Sequence, residues 1–497
     1  MTDHRDPDER RRLDDLARLY GIQRTYHDAF GHRRSASSET VLALLGSLGA
    51  SIGESAGNLD VDDAIDERLD ALAHRPVEPV AVAWEGRLDL PIRLAAGPGA
   101  ADGGGEHPVD CELELEDGES RRWRLTPDPP RASDDGSSRV LRLPETLPFG
   151  YHRLHLRLGT KGTGRGGAAA RTEVLVISSP RRAYQGERPA GETAADWGVF
   201  LPLYALHAER SWGVGDLSDL ARLGRWTAGR GGRVVGTLPL FASFLGAGRE
   251  PFEPSPYAPA SRLFWNELYL DPEAAPELAR SQEARKLLES TALRETLASL
   301  RRSDTVDYRE AMAAKRPVLE ALAQAAFGGN LPESAFEPGR SDSDLHRFIG
   351  ERPSLREYAA FRARTERDGP FRGWQGAEPA AVGHGDQIGA VDPEVERYHL
   401  YVQWLAEGQL RRAAEACRPV AAAPDGGGGG LYLDLPLGVH PDSYDLWRHR
   451  HLFAEGAEAG APPDPLFAGG QRWGFAPFHP ERQRAEGYTH LRQMLGT

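Results

Sequence analysis

The stretch WGVFLPLYALHAERSWGVGDLSDLARLGRWTAGRGGRVVGTLPLF (197–241) decides the fold class. It opens on a continuous apolar run, WGVFLPLYAL (197–206), of the kind a strand carries when a parallel sheet is covered on both faces. Asp216 then stands where a helix N-cap is needed, ahead of a stripe of Leu217, Leu220 and Ala221. A second buried-type run, RVVGTLPLF (233–241), follows at the spacing of a βα repeat, and right-handed crossovers make such repeats parallel. A third, LYLDLPLGV (431–439), arrives only after a long detour. From about Pro272 to Asp425, LRETLASLRR, DYREAMAAKRPVLEALAQAAF, LREYAAFRART and LYVQWLAEGQLRRAAEAC keep apolar spacings of three and four. The pattern predicts a helical insertion between the second and third strands of a barrel.

Toward the amino terminus the period falls to two. VAVAW (80–84), LDLPIRL (88–94), CELEL (111–115), RRWRL (121–125), VLRL (140–143), HRLHLRL (152–158) and TEVLVI (172–177) are short β-type runs separated by turn signals such as AAGPG, EDGES and SDDGSS. Seven such strands predict an antiparallel sandwich. Before them, Leu13, Leu16, Ala17 and Tyr20 mark one helix ended by Gly21, and Ser37 caps a second carrying Val41, Leu42, Leu45 and Leu48 and closed by Gly49. The expected organisation is a helical segment (1–75), a β-sandwich (76–180) and a partial (β/α)8 barrel (184–497) made of its first three βα units with an insertion at about 272–425.

The 497 residues carry 74 acidic and 60 basic side chains, a formal charge of −14, with 40% apolar and 27% charged positions. This is a multi-domain globular composition. Net negative charge without a basic tract argues against nucleic acid or an anionic membrane as the partner. Cys111 and Cys417, the two cysteines, exclude a disulfide framework and a cysteine-rich zinc site. The charged start and the lack of an apolar run of 18 point to a cytoplasmic protein without signal peptide or membrane span.

Glycine clusters at 159–167 and 426–430 lie between strands or before one, where no helix N-terminus can direct N–H groups at phosphate, so they read as loops. The pairs His152/His155 and His449/His451 lack the further convergent ligands that zinc needs, and no metal or cofactor is expected. Eight of the ten tryptophans follow residue 190, and Trp212, Trp265, Trp447 and Trp473 fall in loops after expected strands. Those loops form the functional face of a βα barrel, where aromatic faces suit stacking on sugar rings; equally, large aromatics plug barrel ends.

SPYAPASRLFWNELYLD (255–271) resembles the Ser-Pro-Tyr-Ser-Pro-x-Ser-Arg block of the bacterial 4-alpha-glucanotransferases, the amylomaltases of glycoside hydrolase family 77. SWGVGDLSDLA (211–221), YVQWLAEGQL (401–410), GLYLDLPLGVHPDSYDLW (430–447) and APPDPLFAGGQRWGFAPFHPE (461–481) are similar to further family blocks in the same order. The helical start and sandwich match the amino-terminal extension of one subgroup. The resemblance implies transfer of α-1,4-glucan segments between maltodextrins by a retaining mechanism, with two carboxyl groups flanking the scissile bond. It implies no cofactor.

The family's nucleophile lies in an Arg-Ile-Asp-His block, its acid/base in Glu-Asp-Leu-Gly and its third carboxylate in a His-Asp block. None of these matches here, since the lone His-Asp pair, His27-Asp28, belongs to the helical start. The expectation is therefore a chain truncated before the fourth strand, with the catalytic residues beyond Thr497 and no turnover by itself. A glucan-binding remnant, or one part of a split enzyme completed by a separate chain, is the alternative. For binding, the resemblance singles out Tyr257 beside the donor glucose, Asp442 on a sugar hydroxyl or supporting the nucleophile side, and Trp473 on the acceptor side. Their competing readings are a loop-packing tyrosine, an N-cap for the DSYDLW turn and a core plug. Asp216 and Asp434 read as structural.

Overall fold

The computed structural model describes residues 7–55, 58–93, 108–128, 138–158, 170–183, 196–246, 248–328, 344–374, 388–418 and 429–496. The glycine-rich run 159–167, residues 426–428 and the turns AAGPG and SDDGSS lie wholly or mostly outside them. The chain forms two compact units, residues 1–184 with 451–496, and residues 185–450.

The first unit begins with α1 (Pro7–Leu19), a hairpin of β1 (Thr25–His27) and β2 (Arg33–Ser35), α2 (Ser38–Ser47), a second hairpin of β3 (Gly53–Ser55) and β4 (Asn58–Asp60), and α3 (Val61–Ala73). Ser37 caps α2, its hydroxyl accepting from the Thr40 N–H, and Gly21 and Gly49 take positive φ beyond the ends of α1 and α2. Leu13, Leu16 and Ala17 pack on Val41 and Leu45, with Val61 and Ala64 closing the cluster from α3, a helix additional to the expected pair.

All seven expected sandwich strands form: β5 (Val80–Trp84), β6 (Asp89–Arg93), β7 (Val109–Glu114), β8 (Ser120–Leu125), β9 (Ser138–Arg142), β10 (Gly150–Leu158) and β11 (Ala170–Ser179). Five make one sheet in the order β5-β11-β10-β7-β8, and β6 pairs with β9. Leu154, Leu156 and Leu158 enter a core with Cys111, Leu113, Val174, Val176, Leu90 and Ile92, while Arg153 and Arg157 face out. The sheet is not wholly antiparallel, because β5 runs parallel to β11. Those strands are the first and last of the sandwich, and so long a connection frees them from the constraint a tight hairpin imposes.

The second unit holds β12 (Gly198–Phe200), α4 (Leu217–Ala228), β13 (Val234–Thr237) and, after the insertion, β14 (Gly430–Leu433). The three strands pair parallel in the order β12-β13-β14. Asp216 caps α4 in a reciprocal capping box with Asp219. The first apolar run does not form one long strand. Pro202, which has no N–H to give a ladder, follows β12, and the chain turns into a 3-10 segment at Leu203–Ala205. Nor are the strands covered on both faces: Phe200 and Tyr432, both in register with Gly236, are 59% and 61% exposed. The insertion contributes α5 (Gln282–Glu289), α6 (Thr291–Arg302), α7 (Tyr308–Ala326), α8 (Asp344–Gly350), α9 (Pro353–Asp368) and α10 (Pro393–Ala416), and α11 (Tyr444–Arg448) follows β14. Gln403 and Gln409 of α10 each bond both the N–H and the C=O of the 265–271 segment, which ties the insertion to the loop after β13.

Residues 451–496 return to the first unit with β15 (Gly460–Ala461), β16 (Gln471–Arg472), α12 (Pro480–Ala485) and α13 (Thr489–Gly496). Arg68 of α3 ion-pairs with Glu481, Arg484 reaches Glu78, and the Arg492 guanidinium lies 4.3 Å from the Tyr151 ring centre. No helix among the described residues is long and apolar enough to cross a membrane.

Candidate functional site

Two loops, one after β13 and one after β14, are zipped together by backbone and buried side-chain bonds. The His440 N–H donates to Pro259 O at 2.9 Å and the Tyr444 N–H to Ala260 O at 2.8 Å. Asp445, wholly buried, accepts from Ser261 Oγ at 2.5 Å and from the Arg262 N–H at 3.1 Å. Arg262, also buried, places Nε 3.5 Å from Asp445 and donates through Nη1 to Leu437 O at 3.0 Å. Burial pushes the Arg262 pKa down, and Asp445 opposes that fall. The Ser-Arg of the 255–262 block and the second Asp of DSYDLW are thus two halves of one clamp.

The clamp presents Tyr257. Its N–H donates to Ser255 Oγ at 3.3 Å and the Ser255 N–H to Glu253 Oε1 at 2.9 Å, a run of local turns between Pro254, Pro256 and Pro259. The ring is 47% exposed, so Tyr257 is not packed away in its loop. Its hydroxyl donates to Asp434 Oδ2 at 2.9 Å, and desolvation and then that carboxylate raise its pKa. Asp434, just past β14, thus bonds an exposed tyrosine, whereas Asp216 is buried with Asp219 around Arg210.

Asp442 does not cap the turn that follows it. Ser443 does, accepting from the Leu446 N–H at 3.1 Å. The Asp442 carboxylate lies 3.7 Å from Arg372 Nε and 4.0 Å from His440 Nδ1, and its Oδ1 is buried without a hydrogen-bond partner. Burial raises its pKa against the pull of His440 and Arg372. His440 is lowered by burial, opposed by Asp442 and Glu253, and sits edge-on to Phe244. Arg372 comes from the insertion, 70 positions before Asp442, and no sequence spacing announced it. The strand-end location of Asp434 was a usable signal, since such positions face the functional end of a βα unit.

Trp473 belongs to the other unit, next to β16. It is 41% exposed, is stacked near Phe475 and donates to Gln471 Oε1 at 3.3 Å, so it plugs no core. The other three loop tryptophans are packing residues: Trp212 is fully buried, Trp265 stacks on Phe241, and Trp447 lies among Phe361, Trp374 and Tyr444. His152 is tied to the Glu116 N–H and Pro148 O. Among the described residues no group of three His, Cys, Asp or Glu side chains is arranged to hold a metal.

Comparison with known proteins agrees with this organisation. Residues 201–497 match the family model described as 4-alpha-glucanotransferase, and residues 76–180 match the MalQ N-terminal beta sandwich domain. The chain is 32% identical over 506 residues to the 4-alpha-glucanotransferase of Mycobacterium tuberculosis (strain ATCC 25618 / H37Rv), covering 97% of this chain and 63% of that one. With the 4-alpha-glucanotransferase of Haemophilus influenzae it shares 30% identity over 365 residues, 72% of this chain and 49% of the relative. The crystal structure of amylomaltase from Corynebacterium glutamicum superposes with a TM-score of 0.71 at 26% identity, over 98% of this chain and 63% of that one. The chain thus spans under two thirds of the length of these relatives.

Proposed function

The chain belongs to glycoside hydrolase family 77, the 4-alpha-glucanotransferases, and from that premise we propose that it binds α-1,4-glucans of the maltodextrin class through the loops after β13 and β14. The carrying observation is the clamp that holds Tyr257 exposed beside Asp434. An aromatic face suits the C–H surface of a sugar ring, and neighbouring carboxylates suit its hydroxyls. Asp442, its carboxylate beside Arg372 and His440, is carried over from the resemblance as a further polar contact for the sugar, and Trp473, an exposed aromatic of the other unit, as a contact on the acceptor side.

In this reading the reaction is retaining glucan transfer in the cytoplasm. The three parallel strands are the first units of a (β/α)8 barrel, and the catalytic carboxylates lie outside residues 1–497. Support comes from the sequence, which contains no counterpart of the Arg-Ile-Asp-His, Glu-Asp-Leu-Gly or His-Asp catalytic blocks in the barrel region. Calorimetric titration with maltoheptaose tests binding, and incubation with maltotriose, followed by analysis for glucose and longer dextrins, tests turnover. Binding without turnover is expected. No binding refutes the glucan site, and turnover abolished by replacing a carboxylate of this chain refutes the assignment of catalysis elsewhere.

A second reading, that a separate polypeptide completes the sheet, is favoured by the bare row of Phe200 and Tyr432 flanking Gly236. Large apolar side chains left open on a parallel sheet favour association with other chain segments.

A further inference from the structure

The Tyr257–Asp434 pair supports an inference that rests on the glucan reading and sharpens it. We propose that Asp434 accepts the one hydrogen bond the Tyr257 hydroxyl can donate, positioning the phenol and itself facing the ligand, so that the pair offers two hydrogen-bond acceptors and recognises the 2,3-diol of a glucosyl unit.

The chemistry follows from the donor inventory. A phenol has one O–H to give, and here it goes to Asp434 Oδ2 at 2.9 Å. The phenol oxygen keeps lone pairs, so toward any further partner it can only accept. The Asp434 carboxylate presents oxygen acceptors, and among the described residues the Tyr257 hydroxyl is its hydrogen-bond partner. Oη and the second carboxylate oxygen therefore form a patch that wants two donors side by side. Adjacent ring hydroxyls of a pyranose are gauche to one another and supply such donors. Within an α-1,4-linked chain, O4 is glycosylated and O6 lies off the ring, so the 2- and 3-hydroxyls are the adjacent free pair of every interior unit.

The location fits a ligand contact better than a scaffold bond. Tyr257 is 47% exposed and Asp434 is partly exposed, whereas the bonds that hold these two loops together are the buried ones around Asp445. An exposed tyrosine–carboxylate bond adds little to stability, because water replaces it readily. It does fix the phenol's tilt and the direction of its proton. Tyr257 comes from the loop after β13 and Asp434 from the end of β14, so the bond also sets the separation of the two acceptors.

The test is calorimetric titration of the full chain with maltoheptaose and with its 2,3-di-O-methyl derivative, for the wild type, Tyr257→Phe, Asp434→Ala, Asp434→Asn and the Phe/Ala double variant. The wild type is expected to bind maltoheptaose and to reject the methylated form, because a site built to bond hydroxyls discriminates strongly against analogues lacking them. Tyr257→Phe and Asp434→Ala should each weaken binding about tenfold, the double variant little more than either single one, and both should lose the discrimination. Asp434→Asn, which keeps an acceptor for the phenol but turns a donor toward the sugar, should lose affinity with the thermal transition unmoved. An independent readout is the alkaline tyrosinate titration, taken as the difference from Tyr257→Phe, which should move to lower pH in Asp434→Ala. Wild-type binding that neither single variant alters, or a tyrosinate difference that Asp434→Ala leaves in place, overturns this inference while the glucan reading stands. If the wild type binds no maltoheptaose, the glucan reading fails and this inference fails with it.

Discussion

Replacing Asp445 by alanine is the most informative single perturbation of the site's framework. Three bonds are lost together: from Ser261 Oγ at 2.5 Å, from the Arg262 N–H at 3.1 Å, and the ion pair with Arg262 Nε at 3.5 Å. Both charged side chains are essentially wholly buried, and removing one partner of such a pair costs about 3–5 kcal/mol because the other charge is left without compensation. Burial pushes the Arg262 pKa down and Asp445 opposes that fall, so removing the carboxylate takes away a charge that favours the guanidinium. Asp445→Asn, which keeps an acceptor for Ser261 or the Arg262 N–H, should cost less, about 1–3 kcal/mol. Adding Arg262→Met to Asp445→Ala should recover part of the loss, since the stranded charge is gone. A chain of two compact units need not unfold in one step, so urea transitions should be paired with hydrogen–deuterium exchange. Exchange should accelerate in 255–263 and 436–445 first. A loss below about 1 kcal/mol, or faster exchange confined to other segments, would refute the view that this pair clamps the loops.

Four further outcomes are expected. Lys315, fully buried with Nζ donating to Leu268 O at 2.5 Å and Leu270 O at 2.8 Å, has its pKa lowered by burial to about 8, so the unfolded chain holds that proton more tightly. Stability relative to Lys315→Met should therefore rise as pH climbs from about 8 toward 10.5, by up to about 3 kcal/mol, as read by urea unfolding at each pH. Glu250, buried beside Arg362 and bonded to the Gly246 N–H, is raised by burial to about 7; the folded state holds the extra proton, so stability relative to Glu250→Gln should fall as pH rises from about 4.5 through 7. A fragment of residues 76–180 should be soluble and unfold cooperatively by circular dichroism, because its core cluster closes within those residues; a molten product would show that it depends on other segments. Trp473→Ala should weaken maltoheptaose affinity by about 0.5–1.5 kcal/mol in calorimetry, and an unchanged affinity would remove Trp473 from the site.

What was legible in the residues is what local physics repeats. Leu154, Leu156 and Leu158 alternate because a pleated strand does, and Asp216 and Ser37 precede helices because orphan N–H groups need acceptors. The parallel pairing of β5 with β11 was hidden, since nothing in VAVAW distinguishes a parallel from an antiparallel neighbour. The exposed faces of Phe200 and Tyr432 were hidden for a related reason: apolar character says that a residue is suited to burial, whereas what covers it is a property of distant chain. The site divides along the same line. Tyr257 could be singled out because its block is a contiguous string, and Asp445 lay unremarked within another. Arg372 and Asp434 meet their partners across 70 and 177 positions, so spacing alone did not bring them together, and only the strand-end place of Asp434 gave a signal. Asp442 shows how structure decides between two local readings that sequence leaves equal. In PDSYDLW both Asp442 and Ser443 have capping side chains one residue apart, and the helix uses the serine. The aspartate is thereby released from backbone duty. It keeps a half-buried carboxylate with one oxygen lacking a protein hydrogen bond, beside an arginine and a histidine. A buried acceptor left without a bond costs about 1–3 kcal/mol. Under the proposed glucan reading a sugar hydroxyl reaching that carboxylate would recover the cost, which would tie the capping choice of a five-residue helix to the proposed site.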